Sequence, residues 1–403
     1  MNRHPALLVA VLAVLAGACS GSAPSPGSST SGSAAGYRVF VGTSDSIRRL
    51  GSDAPKAAKL PAGTLSPSGK QVFAVYGTDL RSFDSATGAL TAELRLPDHY
   101  SEIAGRSPSG GYLVLAGSEN GATRFASVSS RLEGAVRSVV LTSNFSSDAL
   151  SEDGRWLYLI EHASALDYRV RRYDLDQGRM DPNILVEKGA SATELMNGER
   201  YASVAVNSTV YSLYYGRNGA FVHALALDGG PIQCIDVPGP RALDPQRQSL
   251  WTLALSPGHD ALFAVNAAEG VVSRIDLRGG QVRSGTFSPP SAAGAWWSPV
   301  TSAQAKEFDQ GAGSATVSPD GKTLYANSLY GYVAIDAATL KLRGSYHSES
   351  LVSSLAVTPD GRWLLAVRDL NDLVRIDPAS GRFDRVLLSV HGPIAVLQVD
   401  SLS

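Results

Sequence analysis

Cysteine is nearly absent from this chain of 403 residues: Cys19 and Cys234 are the two it has. Cys19 falls at the end of a leader-like segment, which leaves Cys234 no second cysteine for a disulfide within the domain, so burial must carry the stability. Excess charge of either sign is absent too. Lys and Arg total 35 against 37 Asp and Glu, a formal net charge of −2, and no basic run exceeds a pair or so. That removes the electrostatic footprint of a nucleic-acid partner. The one long apolar run, Ala6 to Ala16, is too short to span a bilayer comfortably. Local catalytic signatures are missing. The chain has no Gly-x-Ser-x-Gly elbow, no His-Glu-x-x-His and no paired Cys spacing, and Gly321-Lys322-Thr323 lacks the upstream Gly of a phosphate loop. No cofactor and no metal is therefore expected, although a site assembled from distant segments would leave no local signature.

The N-terminus supplies an address. Asn2-Arg3-His4 is a weakly basic start, the apolar run follows, and small residues lead into Leu15-Ala16-Gly17-Ala18-Cys19. Residues 1–18 are predicted to be a signal peptide. The last five residues resemble the lipobox of bacterial lipoproteins, with Leu15 one place earlier than the usual aliphatic residue. The resemblance implies lipidation at Cys19 and anchorage to a membrane on its extracytoplasmic face, in the periplasm or at the cell surface. An ordinary secretory cleavage site is the alternative. Residues 19–36 then read as a flexible tether, because Ser20 to Gly36 is a Ser, Gly, Ala and Pro tract without apolar periodicity.

From residue 37 to 403 the chain reads as one domain of repeats. A hydrophobic fraction of 44% and a charged fraction of 18% describe an ordered globular chain. The repeat is clearest from Ser314 to Leu340. It consists of a short apolar run, Ser318-Pro319-Asp320-Gly321, a strand-like Thr323 to Asn327, then Gly331 to Asp336. It recurs at Thr358-Pro359-Asp360-Gly361, and in worn form at Ser66, Ser107 and Ser151. Ser/Thr-Pro-Asp-Gly is β-turn chemistry: Pro sets φ, Asp bonds the backbone ahead, and Gly takes the positive φ. The Asp that ends the third strand of several units (Asp84, Asp174, Asp276, Asp336, Asp377) is read the same way. Asp174-Leu175-Asp176-Gln177-Gly178 mimics the opening of a calcium loop but lacks the remaining oxygen ligands. Trp156 and Trp363, each after Asp-Gly-Arg, are packing positions of the repeat.

Counting units predicts about eight four-stranded antiparallel blades of one all-β propeller, with seven as the alternative. Each unit of about 40 to 45 residues cannot bury both faces alone, so the units must pack around an axis. The fourth unit is expected to end on an outer strand Ile184 to Val186, and the weak fifth unit turns at Asn207-Ser208. The first unit, from Tyr37, lacks its innermost strand, and Pro393 to Val399 is one strand left over. Pairing these two would close the ring and hide an open sheet edge.

Ser318 to Asn327 and the Val333-Ala334-Ile335-Asp336 that follows resemble the Tyr-Val-Thr-Asn type of β-propeller repeat. It is shared by lactonase-like and amine-dehydrogenase-like propellers and by many exported bacterial lipoproteins. The resemblance covers most of residues 37–403 and implies a fold; its matching residues are structural, so it implies no single activity.

Function is expected where the repeat breaks down. Long connections fall at three consecutive junctions, Lys188 to Arg200, Pro238 to Ser249 and Pro289 to Gly313, and would raise one sector of a single face. His162, in the connection between the second and third strands of the fourth unit, joins that sector. The longest connection carries Trp296 and Trp297, costly to leave in water and therefore either a lid or anchors for a partner, with Glu307 and Asp309 as polar contacts. These residues define an expected binding or assembly module. Its partner is an envelope protein or a small-molecule or carbohydrate ligand, and the chain itself is expected to be a monomer. The alternative is a lactonase-like or dehydrogenase-like enzyme at the channel mouth, with His99, His347 and His391 as acid, base or ligand.

Overall fold

The computed structural model describes residues 36–52, 57–142, 144–185, 195–243, 245–289, 315–328 and 331–402. Among them are eight sheets, each with a path of four antiparallel strands. Blades 2 to 8 use consecutive strands and begin on the innermost ones, at Thr64–Leu65, Glu102–Arg106, Phe145–Leu150, Glu199–Val206, Thr252–Leu255, Ala315–Val317 and Val352–Val357. Blade 1 is composite. Its outer strands are Tyr37–Thr43, Ser46–Gly51 and Ala58–Pro61, and its innermost is the C-terminal Ile394–Ser401.

Closure follows from that seam. Tyr37 pairs with Ser401 and Thr43 with Ile394, an antiparallel ladder that joins the two ends of the domain. Arg38 meets Asp400 at 3.3 Å, and the Leu402 N–H donates to the Gly36 carbonyl at 2.7 Å. The buried apolar side chains collect into eight clusters, each shared by two neighbouring blades. One joins Phe40 and Ile47 of blade 1 to Leu65 and Val72 of blade 2; another joins Leu365 and Leu373 of blade 8 to Val39 and Val396 of blade 1. Eight blades with eight shared cores form a closed ring, so the count is eight and not seven.

The repeat motif is turn chemistry throughout. Ser318 Oγ donates to Asp320 Oδ1 at 2.6 Å and accepts from the Thr323 N–H at 2.9 Å, while Gly321 takes φ 72°. Asp336 Oδ1 accepts from the N–H groups of Ala338 at 3.1 Å and Thr339 at 2.7 Å, and Asp84 does the same for Ala86 and Thr87. In blade 5 a two-residue hairpin replaces the motif, with Asn207 at φ 52° between the paired Val206 and Thr209. The carboxylates of the calcium-like segment are taken by arginines: Arg155 holds Asp174 and Arg137 holds Asp176 at 2.9 Å.

One strand assignment needs correction. The outer strand of blade 4 is Arg179–Met180, and of the expected Ile184 to Val186 only Leu185 bridges back, to Val170; Val186 lies outside the described residues. Gly178, with φ 65°, turns the chain back at once, and Asp181 then breaks the new strand by accepting the Asn183 N–H at 3.0 Å. Among the described residues the one helix is Pro245–Gln248, in the connection from blade 5 to blade 6, and none is long and apolar enough to cross a membrane.

Candidate functional site

Antiparallel blades put every junction between blades, and every hairpin between second and third strands, on one face, here the mouth face. The Ser/Thr-Pro-Asp-Gly turns occupy the opposite face, here the turn face. A cavity of about 870 Å³ opens among blades 1 to 5 and is lined by residues of their innermost strands and mouth-face hairpins, with Ser249 from the connection leading into blade 6.

Its walls are built on irregular strands. The innermost strands of blades 1, 3, 4, 5 and 8 each carry one extra residue: Leu397, Ala104, Asp148, Tyr201 and Ser353. Such a bulge bends the strand and re-aims a side chain. In blade 4 the extra residue is an acid. The Asp148 side chain is 2% exposed, and the Arg200 guanidinium from the innermost strand of blade 5 meets it at 3.0 Å. A carboxylate removed from water is tolerated when a partner charge and good geometry offset its desolvation. The pair thus fixes blade 4 against blade 5 where both face the channel. In blade 5 the extra residue, Tyr201, lies with its hydroxyl 3.1 Å from Glu199 and 3.1 Å from Gln248, which ties the wall to the short helix. Burial first, then the Glu199 charge, pushes the Tyr201 phenol well above its usual range.

Aromatic rings form the floor beside these charges. Tyr168 of blade 4 stacks on Tyr214 of blade 5 at 5.2 Å, and Tyr214 stacks on Phe221 at 5.5 Å. His223 lies tilted against Tyr214 at 5.8 Å; burial pushes its imidazole pKa down, partly offset by Asp148. Across the cavity Arg106 donates to the Leu65 carbonyl at 3.1 Å, and burial lowers the pKa of its guanidinium.

His162 lines this cavity, its Nε2 2.9 Å from Ser146 Oγ. The rim beside it is fastened to the next junction. Met196–Asn197 pairs with Asp167 and Tyr168 as an added strand, the Asn197 amide donates to Asp167 at 2.8 Å, and Arg217 from blade 5 reaches the same carboxylate at 3.1 Å. Leu166 and Leu195 stay exposed on that rim. His99, His347 and His391 are exposed and do not line the cavity, and no group of three metal-ligating side chains gathers among the described residues. Trp296, Trp297, Glu307, Asp309 and Cys19 lie outside the described residues.

Asp148, Glu199 and Arg200 escape a reading of the sequence for function. Their signal is there: Asp148 interrupts Phe145 to Leu150, and Glu199-Arg200 opens the inner strand of blade 5 with two adjacent charges. It becomes legible only once those strands are known to face the channel.

No protein-family model and no curated sequence relative matches the chain. Solved structures do resemble it. Apo AztD from Citrobacter koseri matches with a TM-score of 0.56 at 13% identity, covering 91% of this chain and 97% of that one. The dihydro-heme d1 dehydrogenase NirN, in complex with DHE, gives 0.52 at 15% identity over 90% of this chain and 75% of that one. BamB from Moraxella catarrhalis gives 0.52 at 12% identity over 82% and 88%. The class this defines is the β-propeller. At such identities the likeness is one of fold alone.

Proposed function

We propose that the chain is a lipid-anchored, extracytoplasmic propeller that binds another protein of the envelope at its mouth face. The observation that carries this reading is the cavity wall at blades 4 and 5. There Arg200 and Tyr201 of a bulged strand and His162 of the blade 4 hairpin line an opening of about 870 Å³, with Asp148 of the second bulged strand buried behind Arg200. Buried charge costs stability, and of the five bulged inner strands that of blade 4 alone makes its extra residue an acid. Leu166 and Leu195 provide exposed apolar contact on the rim, and polar groups surround them, the composition of a recognition surface. Trp296 and Trp297 belong to the connection between blades 6 and 7 and are assigned here as anchors, with Glu307 and Asp309 beside them. The tether after Cys19 gives such a module reach from the membrane.

The test is co-purification from membranes of the source cell. Trp296→Ala with Trp297→Ala, and separately His162→Ala, should abolish recovery of the partner while leaving the melting temperature unchanged. Undiminished recovery in both variants rules the reading out. Mass spectrometry of the mature N-terminus checks the anchor: a diacylated Cys19 is expected, and an unmodified terminus elsewhere excludes it.

A further inference from the structure

Three blades carry an arginine two residues before the Asp that ends the third strand, and they fill its surroundings differently. In blade 4, Arg172 stacks over Trp156 at 4.2 Å and bonds Asp181 at 3.2 Å. In blade 8, Arg375 stacks over Trp363 at 4.2 Å and bonds Asp384 at 2.7 Å. Each Trp pairs with, or stands one residue before the pair of, the same third-strand end, and each acid follows the fourth-strand residue opposite the position after the arginine. The corresponding residues of blade 6 are Arg274, Ala261 and Arg283, by the pairs Ala261 with Asp276 and Ile275 with Val282. Blade 6 thus keeps the arginine, replaces the indole by a methyl group and replaces the acid by a second arginine.

The consequence is an open crevice whose two guanidiniums face each other and whose two lining carboxylates, Asp260 and Asp320, are held by their own turns. A recess of about 400 Å³ lies between blades 6 and 7 on the turn face, lined by Ala261, Arg274, Arg283, Pro319 and Ala337 among others. Arg274 and Arg283 are direct cross-strand partners, an arrangement that is destabilising for like charges. Among the described residues neither guanidinium has a hydrogen-bonding or ion-pairing partner within contact distance. Arg274 is felt by Asp260 and Asp276 at longer range, but the nearby carboxylates are committed elsewhere. Asp260 accepts from Ser256 Oγ at 2.7 Å, Asp276 from the N–H groups of Arg278 and Gly279 at 2.9 and 2.8 Å, and Asp320 from Ser318 Oγ at 2.6 Å.

We propose that this recess binds a small ligand in which a carboxylate or phosphate is carried on a flat ring. The anion takes the place that Asp181 and Asp384 hold in the other two blades, now between two guanidiniums. The ring takes the place of the missing indole against Arg274, where cation–π contact and the blade 6–7 crevice both favour it. This site is on the face opposite the mouth and does not depend on the function proposed above.

The experiment is calorimetric titration of the full chain with indole-3-acetate, acetate and indole in turn. Indole-3-acetate should bind at least about tenfold more tightly than either fragment, because it alone supplies both contacts. Arg283→Asp restores the acid of blades 4 and 8; it should weaken indole-3-acetate by at least about tenfold and raise the melting temperature. Arg274→Gln, which removes the charge without adding one, should weaken binding similarly, and circular dichroism verifies that both variants fold. Equal binding of acetate or of indole, no saturable binding, or undiminished affinity in the folded variants overturns the proposal.

Discussion

The two faces of the ring use the same residue types for opposite ends. On the turn face, Asp320, Asp336 and Asp84 spend their carboxylates on backbone N–H groups of their own turns, at the surface and within a few residues. On the mouth side, Asp148 is 2% exposed and bonds a guanidinium 52 residues away, across a blade boundary. Local acids define where the chain turns, and a turn of that kind can be repeated because it needs nothing from its neighbours. The distant pair works only at one boundary. It gives the mouth at blades 4 and 5 a buried ion pair across a blade boundary, and it is there that the proposed partner would bind.

Four perturbations break or sharpen this contrast. The largest removes its premise that both faces belong to one closed ring. Deleting residues 394–401 takes away the innermost strand of blade 1 and leaves Tyr37–Thr43 as an open edge. Cooperative thermal unfolding should be lost, with aggregation in its place. A sharp calorimetric transition near the parent temperature contradicts the seam.

Next is the buried pair itself. Asp148→Ala should cost about 2–3 kcal/mol in urea unfolding, since it strands the Arg200 charge against the channel wall. The double variant with Arg200→Ala should recover part of that loss. Equal losses in single and double variants would mean that the two side chains act independently.

The turn-face ion pair is weaker and depends on pH. Arg155 beside Asp174, with help from the backbone N–H groups of Gln177 and Asp176, lowers the carboxylate pKa to about 2, while burial opposes the shift. A carboxylate whose folded pKa is depressed contributes stability that is complete above the unfolded value, about 4, and fades as pH falls toward the folded value. Asp174→Asn should therefore cost on the order of 2 kcal/mol at neutral pH. The difference should be mostly gone at about pH 2 and vanish about a unit below it. A cost that persists unchanged in acid would point to packing as the cause.

The smallest effect belongs to the turn. Gly361, at φ 70°, needs a left-handed backbone, and a Cβ there would touch Pro319 only at 3.5 Å. Gly361→Ala should cost about 1 kcal/mol through the backbone alone, measured by the denaturation midpoint, with no change at the mouth.

These differences also decide what the sequence makes legible. Ser318-Pro319-Asp320-Gly321 and Thr358-Pro359-Asp360-Gly361 act locally, so their text gives the turns, the blade count and the missing inner strand that Pro393 to Val399 supplies. Trp156 and Trp363 are readable as packing residues because the same Asp-Gly-Arg precedes both. The outer strand of blade 4 is misplaced by the apolar residues Ile184 to Val186, since hairpin geometry at Gly178 outranks hydrophobicity in setting where pairing starts. Asp148 and Arg200 have meaning only through a contact between blades and two bulges, and no local pattern marks a bulge. His162 stands out in the sequence because it sits in the sector where the connections lengthen, and the structure places it in the lining of the cavity.

The most direct measurement asks which face meets the partner in the cell. A photo-crosslinking amino acid placed at Leu166, on the mouth rim, is compared with the same residue at Lys70, on the turn face; both chains are expressed in the source organism and irradiated. The account predicts a discrete adduct with an envelope protein from position 166, lost when His162→Ala is added, and none from position 70. An adduct from position 70 alone, or the same adduct from both, contradicts it.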